Sequence, residues 1–310
     1  MGEQMPRAEA GLILSPGDLA ARGHSADGIA ALVRRGELIR VRRGAYAYPE
    51  PAASPEAQHR LAVRAALAHV GNDACASHIS AAVLHGLPVW RGDLWRVHLT
   101  KHREHGGRIR PGQVMHASVL REDEVITVAG MRVTSLARTV VDLARRYPGA
   151  LAVAAGDAAL ARGLSGDELD AALDRAAGWR GIVGARRICG LLDGRSESPG
   201  ESVSRLIFHD AGLPAPVLQH KITDGSATVA IVDFYWPQWR HTGEFDGMIK
   251  YGRLRRPGED VSAVVIREKV REDAVRDLGY GMTRWITTDL DERWPLIERL
   301  RRRLRGDLAS

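Results

Sequence analysis

Residues 229–236 read Val-Ala-Ile-Val-Asp-Phe-Tyr-Trp, an apolar run of strand length with one carboxylate, Asp233, near its centre. A charge in such surroundings is costly unless something neutralises it, so this stretch demands a partner for Asp233. Beyond the short connection Pro237–His241, a second strand (241–246) carries Glu244 and Asp246 on one face, because strand side chains repeat every two residues. If these strands pair, Asp233 lies opposite that face. Another acid, Glu201, opens the preceding helix (201–212). Converging carboxylates repel one another unless a cation or protons intervene. Hard oxygen ligands with room for water suit Mg2+ or Mn2+. Each acid also has a plainer reading. Ser198-Pro199-Gly200-Glu201 fits a capping box, Glu201 can pair with Arg205 one turn on, and Glu244 with Asp246 can occupy a solvated edge.

The surrounding order is helix, three strands (217–223, 228–236, 241–246), an apolar strand (261–266), a helix (268–278), a strand (283–286) and a basic helix (294–304). This predicts a mixed sheet flanked by helices. The small polar stretch Gly194–Gly200 predicts a domain boundary, giving segments 1–50, 51–193 and 194–310 in a mixed α/β chain. Two or three domains suit 310 residues. The middle segment opens with a helix (57–70), shows strand-like pieces near 95–99 and 125–128, and is helix-rich from Ser135 to about Leu192. The first segment reads helix, turn, helix, two-stranded ribbon. Ser15-Pro16-Gly17-Asp18 and Ser25 supply caps, Gly36 a stop and Gly44 a tight turn. Arg34 and Arg35 close the second helix, and Arg40, Arg42 and Arg43 lie on the ribbon, where they can hold backbone phosphates while the helix approaches a major groove.

Forty-four Lys+Arg against 38 Asp+Glu leave a net charge of +6, an excess that favours polyanions through clustering rather than through its size. Two distant cysteines, Cys75 and Cys189, make neither a disulfide scaffold nor a four-ligand zinc site. With no signal peptide and no apolar run near the roughly 20 residues that span a bilayer, a reducing cytoplasm is expected. No phosphate-binding glycine loop, nucleophile elbow or cofactor fingerprint occurs. His98, His102 and His105 are interleaved with Lys101 and Arg103 and read as a solvated loop. His78 and His85, seven apart, suit core or capping roles.

Two family resemblances follow. Glu201-Ser202…Arg205, Val232-Asp233-Phe234-Tyr235-Trp236-Pro237 and Glu244-Phe245-Asp246-Gly247, with Glu268-Lys269-Val270-Arg271…Arg276…Gly279 and Arg284-Trp285, resemble the very-short-patch-repair-like branch of the PD-(D/E)XK nucleases over about 196–305. The resemblance implies a restriction-endonuclease-like fold, with Asp233 and Glu244 as Mg2+ or Mn2+ ligands and Glu201 in support. The family's usual lysine is Asp246 here, and Lys250 is the nearest one. Gly23-His24-Ser25, Leu32-Val33-Arg34-Arg35-Gly36-Glu37-Leu38 and Arg40-Val41-Arg42-Arg43-Gly44-Ala45-Tyr46 resemble the winged helix-turn-helix of AbiEi-type antitoxins. The middle segment resembles their remainder at Ser80-Ala81-Ala82…Leu84-His85-Gly86 and Val133-Thr134-Ser135-Leu136-Ala137-Arg138-Thr139…Asp142. This second resemblance implies DNA and a cognate toxin, or a second copy of the chain, as partners. Two readings stay open: a DNA-binding protein with a metal-dependent endonuclease domain, and a non-catalytic repressor with a degenerate nuclease fold.

Overall fold

Ser15 begins the first helix as its spacing predicts. Its Oγ accepts from the Asp18 amide at 3.1 Å, and the Asp18 carboxylate accepts from the Ser15 amide at 2.8 Å. The capping box closes, and α1 (Pro16–Ala21) starts on a proline. Ser25 caps α2 (Ala26–Arg35), which Gly36 ends at φ +75°, a conformation that strains any side chain. The ribbon follows, β1 (Ile39–Arg42) antiparallel to β2 (Ala45–Ala47), with Leu14 bridged to Tyr46. Leu14, Leu19, Ile29 and Leu38 form the small core of this segment.

The computed structural model describes residues 12–49, 54–247 and 261–304, with main chain alone for 261–265. They pack as a mixed α/β fold in two compact units. One contains the residues up to Arg146 together with Asp167–Ala177; the other contains Tyr147–Gly166 and everything from Gly178 onward. The packing therefore does not divide at residues 194–200, where the polar stretch suggests a boundary.

In the first unit, α3 (Pro55–Val70), β3 (Ala74–Ala76), α4 (His78–Leu84), β4 (Val97–His102), β5 (Arg108–Arg110), β6 (Gln113–Ser118), β7 (Val125–Val128), β8 (Met131–Thr134) and α5 (Leu136–Arg146) build an α/β layer. Its six-stranded sheet has the order β5-β6-β4-β3-β8-β7. Val63 and Ala66 of α3 pack with Leu99 and Val133 of the sheet. The strand-like pieces expected near 95–99 and 125–128 coincide with β4 and β7, whereas β3, β5, β6 and β8 carry too little contrast for a period-two signal.

The second unit holds α6 (Ala150–Ala161), α8 (Ile182–Cys189) and α9 (Pro199–Asp210), while α7 (Gly166–Arg175) returns to the first. Its sheet, β9 (Val217–Asp224), β10 (Ala227–Trp236), β11 (His241–Asp246) and β12 (Gly281–Ile286), has the order β12-β11-β10-β9. The expected strand at 261–266 is instead the start of one helix, Val261–Asp277. Two physical reasons apply. No glycine or proline separates this β-branched run from the helical sequence after it. Moreover, β12 pairs parallel to β11, and a parallel neighbour requires a crossover, usually a helix.

Phe208, Phe234, Trp236 and Trp285 fill the core of this sheet, ring centroids 5.2–6.4 Å apart. Gly243 leaves room for them, since a Cβ there would stand 2.6 Å from Trp285 and 3.1 Å from Trp236. Gly243→Ala is expected to cost about 1–3 kcal/mol through overpacking, read as a lower urea midpoint.

Candidate nucleic-acid interface

The α2 helix buries Ile29 and turns its last residues, Arg34 and Arg35, outward. Arg35 is paired with Glu37, which holds it at the helix end. On the ribbon, Arg40 and Arg43 are exposed and Arg42 is half-buried. A register shift between Arg40 and Arg42 aligns Arg42 with Ala45, and Gly44 makes the turn at φ +74°. Strict alternation would set Arg42 fully outward; the shift turns it instead into a groove of about 470 Å³. Lys101, Arg108 and Arg110 line that groove from the six-stranded sheet, and Arg103 from the bend after β4.

Sequence reasoning missed this second bank. β5 reads Arg-Ile-Arg, fully exposed at the sheet edge. Edge strands are commonly protected by charge, so the bland reading of Arg108 and Arg110 is protection against aggregation. They also line the same groove as Arg42. The visible signal was the basic run Lys101-His102-Arg103…Arg108-Ile109-Arg110.

In the first unit, Arg138 of α5 is 2% exposed and ties three elements together. It donates to Asp142 and to Glu124, each at 3.0 Å, and to the Ser118 hydroxyl at 2.9 Å. Arg145 also reaches Asp142 at 3.1 Å, and Arg175 of α7 lies 3.5 Å from Glu124.

The C-terminal acids come together differently from the metal-site expectation. The β10–β11 register, Phe234 opposite Gly243, sets Asp233 beside Glu244 as the sequence suggests. Yet the Asp233 carboxylate accepts from the Phe245 amide at 2.8 Å. Glu244 takes both terminal nitrogens of Arg271 at 2.7 and 2.8 Å, and Asp246 takes Arg284 twice at 2.8 Å. Hydrogen bonding to Asp246, opposed by partial burial, holds the Arg284 guanidinium above its ordinary pKa. Glu201 accepts from Ser198 Oγ, the Glu197 amide and Gln219 at 2.8–3.0 Å, which is the capping role plus one side-chain tether. Arg205 pairs not with Glu201 but with Asp157 at 2.6 Å. Lys250 lies outside the described residues.

For Glu244 and Asp246, the self-repulsion that argued for a metal is relieved by guanidinium groups of this chain. A cation at Glu244 would have to displace a bidentate arginine. Among the described residues, Glu201, Asp233, Glu244 and Asp246 do not form a group of three whose oxygens lie within 4.8 Å.

Residues 7–49 match the family model described as "Transcriptional regulator, AbiEi antitoxin", and residues 74–194 match that of the "AbiEi antitoxin C-terminal domain". Two curated relatives in Mycobacterium tuberculosis are the uncharacterized proteins MT2308 (strain CDC 1551 / Oshkosh) and Rv2248 (strain ATCC 25618 / H37Rv). Each is 32% identical over 261 residues, 83% of this chain and 89% of the relative. The chain belongs to the AbiEi antitoxin family. AbiEi antitoxins bind DNA and act with a cognate toxin. In this AbiEi chain, the α2 and ribbon arginines fall in the N-terminal match, while Arg108, Arg110 and Arg138 fall in the C-terminal one. The carboxylates from Glu201 onward lie beyond both. The crystal structure of the RV2827C protein from Mycobacterium tuberculosis aligns over 69% of this chain and 84% of its own, at 16% identity and a TM-score of 0.40. Among the described residues no helix is long and apolar enough to cross a membrane.

Proposed function

We propose that this chain is a non-catalytic, winged helix-turn-helix antitoxin that represses transcription by gripping duplex DNA. The α2 helix would present Arg34 to base edges in the major groove, while the ribbon acts as the wing. The observation that carries this reading is the groove shared by Arg42 of the ribbon and Arg108 and Arg110 of β5. It offers phosphates two basic banks rather than one, which fixes register on the duplex. Fluorescence anisotropy with the DNA upstream of its own gene tests the reading. Wild type is expected to bind that fragment tightly, and Arg34→Ala with Arg40→Ala to bind it at least tenfold more weakly. Equal affinity of both proteins for that fragment overturns it.

Hydrolysis is left out of the proposal because arginines already occupy Glu244 and Asp246. Supercoiled plasmid incubated with the protein and Mg2+ or Mn2+ is expected to stay uncut. Nicking that Asp233→Ala abolishes would restore the nuclease reading.

A further inference from the structure

Three histidines from three separate elements meet in the first unit. His98 lies on β4, His116 on the parallel neighbour β6, and His78 at the first position of α4. One ring nitrogen from each lies within 4.8 Å of the other two. His98 Nδ1 and His116 Nε2 are 3.1 Å apart, and the His116 ring stacks on His78 with centroids 3.8 Å apart. His78 and His98 are buried, whereas His116 is half-buried, so the trio is not sealed from solvent.

We propose that His78, His98 and His116 bind one divalent cation of the zinc type. Imidazole nitrogens hold Zn2+ at about 2.0–2.1 Å, which sets ligand atoms of one tetrahedral shell roughly 3.3 Å apart. The His98–His116 spacing already satisfies that, and the widest pair needs to close by about 1.5 Å at most. Burial, reinforced by the neighbouring histidines, holds His98 and His116 down to about 3 and pushes His78 well below its ordinary value. A neutral imidazole keeps one nitrogen lone pair to donate.

Two further features are accounted for by an ion here. Ser77 Oγ lies 3.0 Å from His78 Nδ1, the kind of outer contact that fixes which ring nitrogen faces a metal. Thr100 Oγ1 is buried without a hydrogen-bond partner. Thr100 is two residues on from His98 and directly across from His116, hence on the same sheet face. Water in an open fourth position would give that hydroxyl a partner. In addition, His78 holds φ +51°, a backbone cost that non-glycine residues seldom bear without a local reason. The fields of Arg138, Arg145 and Arg146 oppose a cation, but Arg138 and Arg145 are both paired with Asp142.

The sequence drew attention to His98, His102 and His105 instead. His102 and His105 are exposed and stand apart from the trio.

Cobalt titration of the full-length, tag-free protein after chelator stripping tests the proposal. Wild type is expected to take up one Co2+ per chain with the visible absorption of a low-coordinate nitrogen site. His98→Gln and His116→Gln should lose that absorption, and a His102→Gln/His105→Gln protein should keep it. Excess Zn2+ should raise the wild-type melting temperature by roughly 5 °C and leave His116→Gln unmoved. Wild type that takes up no Co2+ overturns the proposal, whether or not the variants fold, and leaves the rings as a stacked, N–H···N-bonded core. Equal uptake by wild type and His116→Gln also overturns it.

Discussion

Replacing Arg138 with alanine is expected to lower the stability of the first unit by about 3 kcal/mol, the low end of the range for breaking a buried ion pair. The change strands two carboxylates, Glu124 and Asp142, which are 2% and 1% exposed. The low end applies because neither is wholly abandoned. Asp142 keeps Arg145 at 3.1 Å and Glu124 keeps Arg175 at 3.5 Å. Urea unfolding followed by circular dichroism measures the loss. A charge-free replacement, Glu124→Gln with Arg138→Met and Asp142→Asn, should recover most of it, because the penalty comes from unpaired charge rather than from missing attraction. A loss under about 1 kcal/mol in Arg138→Ala would mean that water reaches these acids and that the network does not organise the unit.

The second large effect concerns salt. If Arg42, Arg108 and Arg110 each neutralise one phosphate, removing all three should flatten the plot of log affinity against log salt by about 2.7, at roughly 0.9 per contact. Carried from 1 M down to physiological salt, that slope corresponds to about a hundredfold weaker binding. The loss should be nearly the same on unrelated duplexes, since phosphates carry no sequence. Arg34→Ala should behave differently, changing preference among sequences while leaving the slope within about one unit. A triple mutant with the wild-type slope would reduce β5 to a guarded sheet edge.

The head was legible because its signals are local. Ser15, Ser25, Gly36 and Gly44 act on neighbours within three or four residues, and each does in the fold what its chemistry predicts. The convergence of Glu244 and Asp246 was legible for the same reason, from strand periodicity. The identity of their counter-charge was not. Arg271 and Arg284 stand 27 residues from Glu244 and 38 from Asp246, respectively, and nothing in the sequence distinguishes guanidinium groups brought there by a crossover helix and a neighbouring strand from a metal ion. The histidine trio is hidden by another cause. His116 sits on a six-residue strand flanked by Gly112 and Val119, and its partner His98 reads in sequence with the basic loop that follows rather than with the sheet.

The path of the polypeptide between the two units has a consequence for synthesis. The chain enters the second unit at Tyr147, goes back for Asp167–Ala177 and leaves again. A nascent protein stopped after Arg146 lacks α7 and, with it, the Arg175 contact to Glu124. One stopped after Ala177 carries α6 before α9, the helix it packs against, has been made. On the ribosome, then, the first unit becomes complete only when the opening helix of the second already hangs in solution. The two units cannot mature strictly one after the other, and a clone cut at Arg146 would leave out a brace of its own buried network.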